Sequence, residues 1–360
     1  MARIVLKDLV KQFGAHTAVK GVSLDIKDGE FLIMVGPSGC GKTTTLNMIS
    51  GLVMPTSGEI TIGDRVVTHT EPGERGLGMV FQDLALFPHM TVFDNIAFGL
   101  RVKNVAQAEI DDRVHKAAEA MHISPLLKKR PGQCSGGEAQ RVALARTIVT
   151  NPSVYLMDEP LSSLDAKLRI DMRTELKHLH ERLNGTFVYV THDQAEAMTM
   201  ADRIVVMSAG RIEQLGGPLD IYRRPQTRFV AGFFGMPTMN FVDGKVDANG
   251  GTPSFHAKSF QSEIAADLDP SLKGRPVVLG VRSEHVFVVD DGTAGAMPAT
   301  VNLIEPMGDA TLVFFDYGGA NRLVAKVDPD LAVSPGDHIH FKLDAAHCHL
   351  FDAESGARLN

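Results

Sequence analysis

One eight-residue run restricts the folds open to this chain more than any other: Gly36-Pro37-Ser38-Gly39-Cys40-Gly41-Lys42-Thr43 fits G-x-x-x-x-G-K-[ST]. The pattern works as a turn between a buried strand and a helix, and both contexts stand beside it. Residues 31–35 are unbroken apolar, and residues 44–50 are helix-like. Glycines let successive backbone N–H groups curl around phosphates, and a helix N-terminus adds about half a positive charge. Lys42 is placed to reach β- and γ-phosphates, and the Thr43 hydroxyl to ligate Mg²⁺. The bland alternative, a glycine-rich turn with no ligand, does not require the full pattern.

Around this loop, apolar runs at 31–35, 78–81, 154–157, 187–190 and 203–207 alternate with helix-like stretches, which predicts an α/β sheet with helical crossovers. Between 83 and 151 the pattern turns mainly helical, with an amphipathic stretch at 106–122 and a second strong helix at 138–149, and reads as an insert. Glycine and proline interrupt the chain at 229–240. Beyond them, short strands at 276–281, 285–289, 300–304, 311–315, 322–327 and 338–343 predict a small β domain of the barrel or OB type. The expected organisation is a sheet domain over 1–235, its helical subdomain at about 83–151, and an all-β domain over 236–360.

Composition removes several function classes. The formal charge of −7, with no long block of Lys or Arg, argues against broad nucleic-acid binding. Three cysteines, Cys40, Cys134 and Cys348, suit a reducing compartment without a disulfide framework. No run approaches the roughly 18 apolar residues of a membrane span, and Met1-Ala2-Arg3-Ile4 opens no signal-peptide layout, so a membrane role requires docking on integral subunits.

At Val154-Tyr155-Leu156-Met157-Asp158-Glu159 an apolar run closes on two carboxylates. A strand of that composition is buried, so the pair emerges at the sheet's carboxyl edge, beside the phosphate loop. Asp158 suits Mg²⁺ and Glu159 a general base for water, a role worth roughly 10² to 10⁴ in rate. Two acids without such a neighbour would read as a solvated edge. Ser135-Gly136-Gly137-Glu138 reads two ways: a second glycine-lined helix N-terminus able to hold an anion, and a capping box in which Glu138 returns to the Ser135 N–H. His338-x-His340 and His347-Cys348-His349 place histidines at alternate positions, which a shared strand face explains without a metal.

The ordered set of phosphate loop, Gln82 in Val80-Phe81-Gln82-Asp83, Ser135-Gly136-Gly137, Asp158-Glu159, Ser163-Leu164-Asp165 and His192 in Val190-Thr191-His192-Asp193 resembles the ATPase subunit of an ABC transporter. The resemblance covers essentially the whole chain. Within that superfamily KTTTLNMISGL, LFPHMTVFDNIAFGL, YLMDEPLSSLDAKLR, VTHDQAEAMTMADRIVVM and GVRSEHV are similar to bacterial importers of the maltose and glycerol-3-phosphate type.

The resemblance implies a P-loop ABC ATPase domain followed by an OB-like, TOBE-type regulatory domain, with ATP and Mg²⁺ as cofactors. It places Gly36, Pro37, Ser38, Gly39, Cys40, Gly41, Lys42, Thr43 and Thr44 around the phosphates, and Phe13 on adenine; read without it, Phe13 is a core aromatic. Thr43, Asp158 and Gln82 are implied for Mg²⁺, with Gln82 also sensing the attacking water, whereas alone Gln82 is a polar strand end. Glu159 is implied as the base and His192 as the switch histidine on the γ-phosphate; a lone histidine is otherwise structural. Ser135, Gly136, Gly137 and Glu138 would close on ATP held by a second subunit, and Asp165 would lie in the loop crossing between the two.

Implied partners are a second copy or paralogue of the ATPase, two integral membrane permease subunits and an extracytoplasmic solute-binding protein, with no nucleic acid. The implied location is the cytoplasmic face of the bacterial inner membrane, as a peripheral subunit. The expected solute is a carbohydrate, polyol or glycerol phosphate; importers of polyamine, iron or sulfate have closely similar ATPases. A soluble DNA-repair-type ABC ATPase shares the loop and signature but carries long coiled-coil, zinc or basic elements, which are not visible here. A phosphate-loop kinase is disfavoured by the Ser-Gly-Gly motif, Gln82 and His192. Two departures mark the signature: Cys134 stands where leucine is usual, and Glu138 where glutamine is usual. A carboxylate near a γ-phosphate predicts slower hydrolysis or weaker closure unless the capping box holds it back.

Overall fold

Strands β1 (Ile4–Phe13) and β2 (His16–Ile26) pair antiparallel and expose one face, so their sequences alternate. Strand β3 (Phe31–Val35) has no polar residue to turn outward and is buried along its whole length. It feeds the phosphate loop and helix α1 (Lys42–Ser50). The chain returns through β4 (Ser57–Ile62) and β5 (Arg65–Val66) to complete a sheet of order β2-β1-β4-β5, then enters β6 (Leu77–Val80). Helices α2 (Val92–Val102), α3 (Gln107–Ala120) and α4 (Gly136–Ile148) form the expected helical insert. The chain continues through β7 (Val154–Asp158), α5 (Ala166–Leu183), β8 (Thr186–Val190), α6 (Gln194–Met200), β9 (Arg203–Ser208) and β10 (Arg211–Gly216). This computed structural model describes residues 2–247, 253–264 and 269–360.

Among the described residues, the second sheet has the order β10-β9-β3-β8-β7-β6. Its members from β9 to β6 run parallel, and only β10 is antiparallel to its neighbour. The strands at 31–35, 78–81, 154–157, 187–190 and 203–207 are these five, within a residue at most ends. The antiparallel sheet was not anticipated, because a half-exposed strand interrupts its apolar run with polar residues.

The core of this unit lies between the two sheets, with Leu6, Leu24 and Ile60 on one side, Leu32, Met34, Leu156 and Val188 on the other, and Leu46 and Ile49 of α1 between them. Helix α1 is therefore a core element. Its C-terminal carbonyls are met by Arg75, which is 4% exposed. The guanidinium donates to Met48 O and Ile49 O at 2.8 Å, to Thr70 O at 2.8 Å and to Thr68 O at 3.2 Å. Burial lowers its pKa, yet guanidinium remains charged, and a cation at a helix C-terminus is favourable.

The chain divides into two compact units, Met1–Leu219 and Asp220–Asn360; the expected boundary at 235/236 falls inside the second. That unit contains the end of α7 (Pro218–Arg223), α8 (Arg228–Phe233) and strands β11 (Asn240–Asp247), β12 (Ser254–His256), β13 (Gln261–Glu263), β14 (Pro276–Val281), β15 (Val286–Val289), β16 (Met297–Pro306), β17 (Thr311–Asp316), β18 (Leu323–Val327), β19 (His338–Leu343) and β20 (His349–Asp352). They form antiparallel sheets of order β13-β12-β11-β14-β20 and β15-β19-β16-β17-β18. The two sheets share a core that includes Leu279, Val281, Phe315 and Phe341. The all-β character is as expected. Strand β15 starts at Val286 because Ser283–His285 forms a 3-10 turn. Strands β11, β12, β13 and β20 were missed, being short or interrupted by polar residues. No described helix is long and apolar enough to cross a membrane.

Replacing Arg75 by Met keeps the bulk but strips four carbonyls of their donor. We expect a loss of about 2–4 kcal/mol in chemical denaturation. An unchanged midpoint would show that the guanidinium does not anchor α1.

Candidate active site

The parallel order β3-β8-β7-β6 brings four carboxyl ends side by side. In that order they lead into the phosphate loop, Thr191-His192, Asp158-Glu159 and Gln82. Pairing fixes their heights: Asp158 lies opposite Val190, Met157 opposite Val80, and the Thr191 N–H bonds to Met34 O at 3.2 Å.

The loop is packed too closely for side chains at two of its glycines. Gly36 has φ 153°, and a Cβ there would stand 2.2 Å from Met207 O. Gly41, the N-cap of α1, has φ 106°, and its Cβ would stand 2.7 Å from Ala18 O. No side chain caps α1, so its first N–H groups keep their donor capacity for an anion. Lys42 is 6% exposed, and its ammonium donates to Gly36 O at 2.8 Å and Pro37 O at 3.1 Å. A cation held inside the loop's curve adds full charge to those dipoles.

Thr43 Oγ1 donates to Asp158 Oδ1 at 3.0 Å. Adjacent oxygens around octahedral Mg²⁺ lie about 3.0 Å apart when each is about 2.1 Å from the ion, so this pair fits a hard cation. Burial raises the Asp158 pKa, the hydroxyl of Thr43 opposes that, Glu159 adds to it and Lys42 opposes it. A divalent cation would favour the ionised form. Gln82 is exposed at the end of the same edge.

Glu159 Oε2 lies 3.1 Å from His192 Nδ1. Its backbone has φ 43°, a left-handed conformation that costs a non-glycine residue about 1–2 kcal/mol. The turn is pinned in that shape: Glu159 N–H donates to Val190 O at 2.9 Å, and Ser162 Oγ donates to Glu159 O at 2.9 Å. The strain aims the carboxylate off the strand end toward His192. Arg169, which sequence reasoning missed, ties the next two segments together. Its guanidinium donates to Leu164 O at 2.9 Å and to Asp193 Oδ2 at 3.4 Å. Buried Glu196, also missed, accepts from Tyr189 Oη at 2.8 Å behind His192. Neither residue sits in a pattern that a single sequence could reveal.

Ser135 adopts the capping-box arrangement. Its Oγ accepts from Glu138 N–H at 3.3 Å, and its N–H donates to Glu138 Oε2 at 2.7 Å. That backbone bond lowers the Glu138 pKa, so the carboxylate is ionised and folded back. Gly137 packs under Leu168, where a Cβ would stand 2.4 Å from Cδ2. Cys134 Sγ lies 3.6 Å from Arg130 O. Asp165 caps α5, its Oδ1 accepting from Leu168 N–H at 3.0 Å. Phe13 is no core residue: its ring is 50% exposed, with the Lys11 ammonium 4.8 Å from its centroid. The structure thus gathers Gly36 to Thr44, Gln82, Asp158, Glu159 and His192 at one sheet edge; Phe13 ends β1, and the Ser135 motif and Asp165 each begin a helix. Among the C-terminal histidines, His338 contacts Thr300, His340 lies 3.4 Å from Asp291, and His349 is buried.

Residues 19–162 match the family described as ABC transporter, residues 235–286 the MalK OB fold domain, and residues 279–351 the TOBE domain. The chain is 47% identical over 353 residues to the sulfoquinovosyl glycerol transport ATP-binding protein SmoE of Agrobacterium fabrum, covering 98% of each chain. It is 46% identical over 359 residues to the sn-glycerol-3-phosphate import ATP-binding protein UgpC 2 of the same organism, covering 100% of this chain and 95% of the relative. A solved dimeric, post-hydrolysis ATP-binding cassette, MJ0796 bound to ADP and Pi, is 33% identical with a TM-score of 0.55, over 60% of this chain and 98% of that one.

Removing the Arg169 link with Arg169→Met should loosen the segments carrying Leu164 and Asp193 without touching the phosphate loop. We expect kcat for ATP to fall about tenfold, a transition-state loss of about 1.4 kcal/mol, with KM nearly constant. A rise in KM at constant kcat would assign Arg169 to nucleotide binding instead.

Proposed function

The chain belongs to the ATP-binding subunits of ABC transporters, which hydrolyse ATP to power transport, and from that premise we propose how its own residues do so and for what solute. The observation that carries the reading is the single sheet edge shared by the phosphate loop, Asp158, Glu159 and His192. In this reading, residues 1–235 are the ATPase domain and residues 236–360 a regulatory domain. Lys42 and the loop amides hold the β- and γ-phosphates, with Thr44 beside them on α1. Thr43, Asp158 and Gln82 would hold Mg²⁺, which would offset the charge of the phosphates. Glu159 takes a proton from the attacking water while His192 orients its carboxylate and contacts the γ-phosphate. Phe13, exposed and flat, stacks on adenine.

Two copies, or one copy and a paralogue, close on two ATP molecules. The Ser135 motif of one faces the nucleotide on the loop of the other, with Asp165 at the crossing. Support comes from the hydrogen bonds of Ser135, which go to Glu138 rather than to the phosphate loop of its own chain, and from the dimeric cassette that holds ADP and Pi. Closure would drive two membrane permease subunits, fed by an extracytoplasmic solute-binding protein, from the cytoplasmic face of the membrane. The proposed solute is a sugar or polyol conjugate of the glycerol type, in line with the relatives named for sulfoquinovosyl glycerol and sn-glycerol-3-phosphate.

Glu159→Gln keeps size and hydrogen bonding but removes the base. We expect ATP binding to persist, turnover to fall at least 10²-fold (about 2.7 kcal/mol), and the closed dimer to accumulate on size-exclusion chromatography with ATP. Unchanged steady-state turnover would refute the role. Because the Ser135 N–H already holds the Glu138 carboxylate back, Glu138→Gln should leave turnover within about twofold of the wild type. A severalfold rise would show that the charge reaches the partner's γ-phosphate despite that bond.

A further inference from the structure

The second unit contains a cavity of about 710 Å³ whose lining is dominated by cations and imidazoles, in the size range of small-molecule sites. Arg282 forms its floor. The residue is 4% exposed, its guanidinium donates to Phe234 O and Tyr222 O at 2.7 Å, and it stacks 3.5 Å from the Tyr222 ring centroid. Arg358 approaches from the last segment, and Arg223 and Arg224 from the end of α7. His349 is 9% exposed at the start of β20. His285 and His347 stack in parallel beside it with centroids 3.9 Å apart.

Carboxylates offset these charges only in part: Glu284, in the lining, interacts with Arg282 and His285, and Asp344 with His285 and His347. The Glu284 carboxylate accepts from Tyr222 Oη at 2.7 Å, and Asp344 pairs with His347 Nδ1 at 2.7 Å. Neither Arg282 nor Arg358 forms an ion pair with a carboxylate among the described residues. The Nε atoms of both arginines and Nδ1 of His349 are buried without a hydrogen-bond partner. Buried polar groups are ordinarily satisfied, so three orphans around one cavity need an explanation. Mutual repulsion is visible as well: after burial, Arg358, Arg282, His347 and His285 all push the His349 pKa down, to about 4, and Arg224 lowers that of Arg358. A concave surface with four arginines in its lining against one acidic side chain, Glu284, concentrates negative charge. Guanidinium forks match the tetrahedral oxygens of phosphate, and Arg282 is already oriented by its two carbonyls.

We propose that this cavity binds a phosphate group, free or as the monoester of a small sugar, between Arg282 and Arg358 with Arg223 at the rim and His349 in the wall. Every residue of it lies within the compact unit Asp220–Asn360, and none is assigned to catalysis or nucleotide binding above, so the inference does not depend on those assignments.

The test is isothermal titration of the full chain with inorganic phosphate and, separately, glucose 6-phosphate. The phosphate loop is saturated with MgADP beforehand, so that a phosphate bound there does not enter the reading. We expect saturable one-to-one binding of at least one probe, weakened tenfold or more by Arg358→Gln and measurably by Arg223→Gln at the exposed rim. The tighter of the two probes distinguishes the free ion from the ester. No saturable heat from either probe, or equal affinity in the wild type and both variants, would overturn the site. The rim variant keeps the test readable if Arg358→Gln fails to fold.

Discussion

Between Val35 and Lys42 the backbone must convert a strand buried on both faces into a helix that is itself part of the core. Strand β3 lies between β9 and β8, and α1 lies between two sheets, so both ends of the loop are held by packing. Gly36 and Gly41 are tight because Met207 O and Ala18 O, from different strands, press against the loop. The loop's donors are therefore aimed before any anion arrives, and the reorganisation that phosphate binding would otherwise require is already met by the folding free energy of the whole unit.

The rest of the edge is built on the same frame. Asp158 reaches Thr43 because β7 stands two strands from β3 and ends level with it, and Glu159 reaches His192 because β8 lies between them. The left-handed turn at Glu159 departs from local preference, and the bonds from Val190 and Ser162 hold it there. Arg75 and Arg169 act behind the edge, one closing the far end of α1 and the other linking the segments that follow β7 and β8. Arg75 turns its fixed donors on four backbone carbonyls and Arg169 on one carbonyl and one carboxylate, tasks to which lysine is poorly suited.

The second unit follows a different rule. Its two antiparallel sheets bury their facing sides in one core, and its polar chemistry is concentrated where strand ends and the last segment converge on Arg282. There cations outnumber carboxylates, and among the described residues Arg282 and Arg358 form no ion pair, an arrangement that burial makes unfavourable by itself and favourable toward an anion.

Much of the site was legible in the sequence because its parts are local. A buried strand followed by glycines, Lys42 and Thr43 declares itself within a dozen residues, as do the apolar run ending in Asp158-Glu159 and the Ser135–Glu138 capping box. The parallel strands were legible for the same reason: complete burial leaves unbroken apolar runs. The half-exposed strands of the first sheet and the short strands of the second unit carry no such signature. Phe13 shows the limit of a residue-type prior, since its exposure depends on what packs over the end of β1. The sequence alone determined which side chains are chemically suited to phosphate, metal and water. Tertiary structure decided the strand order that lines those groups up, the backbone strain at Glu159, the helix-end carbonyls that Arg75 meets, the link from Arg169 to Asp193 and the carbonyls that Arg282 meets, because each depends on contacts between segments far apart in the chain.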